Sequence, residues 1–151
     1  MLEGTFNLRV TKSIKSRGIF CYKVADKFHA GIPDIYVAGG IWIESKVIKV
    51  GKQNRLISVY AKMRPAQHNF ARDLIASGDR VIFCARIEAS DGAHLMFIPY
   101  WHLQNRQNWV VEDLKKFPLI GSESEYDMSK YFHDDYADED NLNYDWYFEP
   151  W

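Results

Sequence analysis

Asp34 follows Pro33, nine residues separate it from Glu44, and Lys46 lies two positions beyond in the run Glu44-Ser45-Lys46. Two carboxylates brought together can hold a hard divalent cation through oxygen ligands. A lysine on the same side can orient or deprotonate a water, or stabilise negative charge growing on a phosphate. A metal that polarises a phosphoryl oxygen, an activated water and a cation near the leaving group are the parts that phosphodiester hydrolysis requires. No other chemistry is as legible. His94 and His102 lack metal-ligand spacing with a partner, there is no Ser-His-Asp or Cys-His arrangement, and no glycine loop of the nucleotide-binding kinds occurs.

Those side chains need a scaffold that carries Asp34 to Glu44, and the flanking residues describe one. Residues 35–38 and 41–48 are apolar segments on either side of Gly39-Gly40, a dipeptide free to take the positive φ angles of a two-residue hairpin turn. They are expected to pair as antiparallel strands. Alternation then puts Ile41, Ile43, Ser45 and Val47 on one face and Trp42, Glu44, Lys46 and Ile48 on the other.

Upstream, Phe6, Val10 and Ile14 recur at intervals of four within residues 3–16, which predicts a helix ended by Gly18 with Glu3 on the same face. The weak helix formers Gly4, Thr5 and Asn7 leave a strand as the competing reading. Residues 19–24 read as a strand and 25–31 as a loop. Downstream, Pro65 opens a helix that Gly78 closes, with Gln67, Phe70 and Leu74 on its inward stripe. Residues 81–85 are apolar throughout, as in a central strand, and 94–98 read as another. Asn108 is expected to cap a short helix carrying Val110, Leu114 and Phe117.

The formal charge of -1 conceals a division along the chain. Residues 1–120 hold 18 of the 19 Lys and Arg and 10 of the 20 Asp and Glu, a net of +8, whereas residues 121–151 hold Lys130 against 10 acids, a net of -9. From Ser45 to Arg72 there is no acid at all, while Lys49, Lys52, Arg55, Lys62 and Arg64 follow the Lys46 strand. Beside an active site such a run would be a phosphate track; elsewhere it is solvated surface. Residues 121–151 also carry 9 of the 23 aromatics, Trp146, Phe148 and Trp151 among them, which sets them apart from ordinary disordered acidic tails and equips them for docking.

Pro33, Asp34, Glu44 and Lys46 occupy the signature of the PD-(D/E)xK nuclease superfamily, which the chain resembles over roughly residues 1–88 in the order helix, three strands, helix, strand. Gly31-Ile32-Pro33-Asp34, Ile43-Glu44-Ser45-Lys46 and Arg64-Pro65-Ala66-Gln67 are similar to the stand-alone VRR-NUC nucleases, and the compact segment 33–46 to phage-type endonuclease I and Holliday junction resolvases. The resemblance implies a metal-dependent deoxyribonuclease acting on branched, flapped or junction DNA. It implies Mg2+ or Mn2+ held by Asp34 and Glu44 with help from Glu3 and the main chain at Ser45. Lys46 would serve the attacking water, and Gln67 would support that geometry.

The expected architecture is therefore α/β: a restriction-endonuclease-like core of mixed β-sheet with flanking helices over residues 1–120, followed by an acidic aromatic C-terminal tail over 121–151. DNA is the expected partner, with a homodimer suited to symmetric junctions, and a replication or recombination protein is the candidate for docking on the tail. The alternative is a catalytically idle DNA- or protein-binding module of a phage or mobile element built on the same fold. No apolar run is long enough to span a bilayer, and Glu3 and Arg9 stand where a signal peptide carries its apolar segment, so no membrane partner is expected. Location in the cytoplasm of a bacterial cell or phage-infected host is the matching expectation. Cys21 and Cys84, each within apolar residues, read as two buried thiols.

Overall fold

In the computed structural model of the chain, residues 1–25, 28–51 and 55–117 are described; the tail at 121–151 and Lys52 lie outside them. The chain runs through helix α1 (Glu3–Lys15), strands β1 (Cys21–Lys23), β2 (Ile35–Val37), β3 (Ile41–Lys49) and β4 (Leu56–Ser58), a 3-10 turn over Tyr60–Lys62, and helix α2 (Pro65–Ala76). It continues through β5 (Arg80–Ala89), β6 (Gly92–Pro99), α3 (Tyr100–Asn105), β7 (Asn108–Val110) and α4 (Val111–Leu114). Five strands form one mixed sheet in the order β1-β2-β3-β5-β6. The β3–β5 pair is parallel, joined through α2, and the other neighbours are antiparallel.

The sheet divides the core in two. On one face α1 lays Phe6, Val10 and Ile14 over Cys21, Ile35, Val37, Ile43, Cys84 and Phe97. On the other, Ala71 of α2, Leu103 of α3, and Trp109, Val111 and Leu114 close over Ile48, Phe83, Ala85, Met96 and Ile98. The alternation read along β3 holds: Ile41, Ile43 and Val47 pack on the α1 side, Trp42 and Ile48 on the α2 side. Both cysteines are free and buried. Among the described residues no helix is long and apolar enough to cross a membrane.

Helix rather than strand wins over residues 3–15 because the four-residue spacing buries one complete face, although Leu2 at the N-cap offers no side-chain cap. Several expectations are corrected. The hairpin loop has three residues, since Val37 pairs with Ile41, and Gly39 and Gly40 take φ of 97° and 75° inside it. On α2 the fully buried positions are Gln67, His68 and Ala71, with Phe70 and Leu74 only half-buried. Asn108 begins β7 instead of capping a helix, because its segment pairs antiparallel with β4 in a separate two-stranded sheet, and the helix starts only at Val111. Neither that pairing nor α3 has a local sequence signal, because three-residue strands and a six-residue helix are held by tertiary contacts.

Candidate active site

The hairpin register builds the site. Ile35 pairs with Ile43, so the next step along both strands brings Asp34 beside Glu44; a slip of one residue would separate them. Asp34 is held from both sides of that junction. Its backbone carbonyl accepts from Val24 N at 2.8 Å, and its Oδ2 accepts from the Ser45 backbone N–H at 2.9 Å and the Ser45 hydroxyl at 3.1 Å. The Ser45 hydroxyl also bonds Asn7 Oδ1, which ties the site to buried α1.

Glu44 points to the opposite face from Ser45 and is 1% exposed. Its Oε1 accepts from Gln67 Nε2 at 2.9 Å and lies 3.7 Å from Lys46 Nζ. Its Oε2 is buried and finds no hydrogen-bond donor among the described residues. Burial, reinforced by the negative Asp34 carboxylate and only partly opposed by Lys46, pushes the Glu44 carboxyl up to about 9. The field of Glu3 acts in the same direction and is the smallest of these influences.

Gln67 reaches Glu44 because of how α2 begins. Arg64 occupies the N-cap and Pro65 the first helical position, and Gln67 Oε1 folds back to accept the Arg64 backbone N–H at 2.8 Å. One amide thus satisfies the helix start and fixes Glu44. The loop before Asp34 is seated against the same turn: Gly31 has φ +86°, and a Cβ there would lie 2.2 Å from Ala66 O. Only glycine fits that approach.

His68 secures the turn from behind. Its Nε2 faces the Tyr60 carbonyl at 2.9 Å, so that nitrogen carries the proton, and Nδ1 accepts from Tyr100 Oη–H at 2.8 Å. Its ring stacks on Tyr60 at 3.8 Å, and burial lowers its pKa. Tyr60 Oη in turn accepts from Arg72 at 2.7 Å.

The structure therefore brings together Asp34, Glu44, Ser45, Lys46 and Gln67. Glu3 is exposed on the first turn of α1, and among the described residues no group of three or more His, Cys, Asp and Glu side chains converges. Lys49, Arg55, Lys62 and Arg64 are all exposed. Asn7 and His68 are the positioning residues that the sequence reading missed. Asn7 stands four positions after Glu3, on the helix face already assigned to the site, and His68 adjoins Gln67, so both carried a positional signal.

The donor set fits a hard divalent cation. Two carboxylates meet, one with an oxygen that is buried from solvent and that no donor among the described residues satisfies, which is costly unless a positive charge or a proton joins it. Comparison with protein-family models and with curated proteins finds no match to this chain.

Proposed function

We propose that this chain is a metal-dependent deoxyribonuclease with a restriction-endonuclease-like core, hydrolysing phosphodiester bonds in branched, flapped or junction DNA. The observation that carries the reading is the Asp34–Glu44 carboxylate pair, its Glu44 Oε2 without a donor among the described residues, flanked by Lys46 and Gln67. Apart from β4, which belongs to the separate two-stranded sheet, the order α1, β1, β2, β3, α2, β5 supports the same fold assignment.

Asp34, Glu44 and the Ser45 main chain would hold Mg2+ or Mn2+. The cation, when bound, supplies positive charge to a phosphoryl oxygen and acidity to a coordinated water. The chain's own residues do the rest. Gln67 fixes Glu44 through Oε1, and the Ser45 N–H and hydroxyl hold Asp34 Oδ2. Lys46 Nζ, close to Glu44 and nearly enclosed, orients the attacking water and balances charge gathering on the phosphate. In the metal-free protein the Glu44 carboxyl holds a proton at neutral pH, shared toward Asp34. Lys49, Lys52, Arg55, Lys62 and Arg64 would carry the DNA backbone.

The test is incubation of the full chain with labelled linear, flapped and four-way DNAs in Mg2+, in Mn2+ and in excess chelator. Cleavage in either metal and none in chelator is expected. Undiminished cleavage in chelator overturns the mechanism, and DNA bound but uncut in both metals assigns the chain to the alternative class, an idle binding module.

A further inference from the structure

Phe20, Tyr22, Tyr36 and Trp42 form a row of rings across one end of the sheet. The register pairs Tyr22 with Tyr36 and Tyr36 with Trp42. Ring centroids are 6.0 Å apart from Phe20 to Tyr22, 5.6 Å from Tyr22 to Tyr36 and 4.9 Å from Tyr36 to Trp42. Because Cys21, Ile35, Val37 and Ile43 turn toward α1, alternation puts the row on the other face, which is the face of Glu44 and Lys46.

The two ends of the row differ. Trp42 is anchored at the inner end, its Nε1 donating to Asp79 Oδ2 at 2.9 Å. At the outer end, on edge strand β1, Phe20 is 66% and Tyr22 46% exposed. A single exposed ring is ordinary, but a continuous ladder of them leading into a buried polar site is a surface held ready for a ligand.

We propose that this row is a stacking platform for the unpaired bases of a nucleic-acid strand whose backbone passes on to Asp34, Glu44 and Lys46. The choice of occupant rests on the nuclease reading, and it narrows the substrate to DNA with a single-stranded segment at the cut. Aromatic faces accept any base, because every base presents a π-face. Three strands span about 10 Å, the rise of about three stacked nucleotides. Trp42 stands two residues before Glu44 on one face of β3, about 7 Å along the strand, so a strand stacked on the rings delivers its phosphate to the carboxylates without a change of face. The charge suits a polyanion: Lys46 shares the face, and Arg64 lies exposed at the start of the helix that contacts Glu44.

The experiment uses the full chain in excess chelator, so that binding is read without cleavage. Fluorescence anisotropy compares a labelled oligothymidylate with a duplex of equal length. The double variant Phe20→Ala/Tyr22→Ala should lose about tenfold or more in single-strand affinity and less than about twofold on duplex, while Tyr22→Trp keeps the single-strand affinity. An oligothymidylate carrying 5-iododeoxyuridine should photocrosslink to Tyr22 or Tyr36 in the parent protein. Both altered rings are exposed, so an unchanged thermal midpoint is expected and separates stacking from folding. Unaltered single-strand affinity, or equal losses on both DNAs, overturns the proposal. So does a double variant whose sole change is lost self-association or loss of a contact that deletion of residues 121–151 also removes, since the rings then hold protein. Selective loss of single-strand binding in a protein that never cleaves leaves the platform standing and sinks the nuclease reading; normal cleavage with unaltered binding does the reverse.

Discussion

The two faces of β3 are built from alternate residues of one strand and yet follow opposite rules. Toward α1, Ile43 joins Phe6, Val10, Ile14, Ile35 and Phe97 in an apolar layer whose polar intrusion, the Ser45 hydroxyl, is satisfied by Asn7 and Asp34. Toward α2, the same strand buries Glu44 against Gln67 and Lys46, and leaves Glu44 Oε2 without a donor among the described residues. The first face is organised for stability. The second gives some stability up, because a buried carboxyl beside another carboxylate is unfavourable until a proton or a cation joins it. Sites that break the rule of satisfied burial are where function concentrates.

The largest effect that would sharpen this contrast is on the polar face. Asp34→Ala or Glu44→Ala should lower metal-dependent cleavage by about a thousandfold or more in single-turnover assays, while DNA affinity in chelator stays level for Glu44→Ala, whose carboxyl is already protonated there, and stays level or tightens for Asp34→Ala, where a repulsive carboxylate is gone. The matching cut on the apolar face is Phe6→Ala. It should cost about 4 kcal/mol in urea unfolding, through the lost transfer free energy and the cavity, yet leave the cleavage rate per folded molecule unchanged. Loss of both in either variant would merge the two faces into one.

Acidity offers a third way to separate them. The Glu44 carboxyl moves from 4.5 to about 9 on folding, so the folded state keeps a proton that the unfolded chain releases. Its favourable contribution is complete below about 4.5, declines as pH rises, and is lost once pH passes about 9. The metal-free protein should therefore lose a few kcal/mol of stability across that window, and Glu44→Gln should flatten the curve; thermal midpoints measured against pH in chelator check it. An identical slope in Glu44→Gln would place the pH dependence elsewhere.

Smaller effects probe the seams. Asn7→Ala removes one acceptor of the Ser45 hydroxyl but leaves Asp34, so about 1 kcal/mol is expected in chemical denaturation. Neutralising Arg64, if it contacts phosphate, should weaken binding to all DNA sequences alike and reduce the salt slope by about one unit. An unchanged slope after Lys49, Arg55, Lys62 and Arg64 are altered together would make the acid-free stretch solvated surface.

What could be read from the sequence were the features whose cause is local. The four-residue spacing of Phe6, Val10 and Ile14, the glycine pair between two apolar runs, the alternation along residues 41–48 and Pro65 at a helix start each act within a few residues, and each appears in the structure. They were enough to place Glu44 and Lys46 on one face and to set Asp34 at the start of the neighbouring strand, which begins at Ile35. The length of the hairpin loop is not legible locally, because two glycines permit a third loop residue as readily as they permit a two-residue turn.

Tertiary structure alone decided the remainder, because those features depend on partners far along the chain. β4 and β7 exist by pairing with each other, and His68 is positioned by Tyr100 and the Tyr60 carbonyl. The bond from Gln67 to Glu44 requires that α2 cross back over β3 with Gly31 seated against Ala66. The sequence by itself determined which side chains were available and which face of their own strand or helix they occupy, since backbone periodicity is a property of neighbours. Whether a carboxylate ends up solvated and charged or enclosed with one oxygen unmet is decided by which surfaces close over it, and only the packed sheet and helices settle that for Glu44.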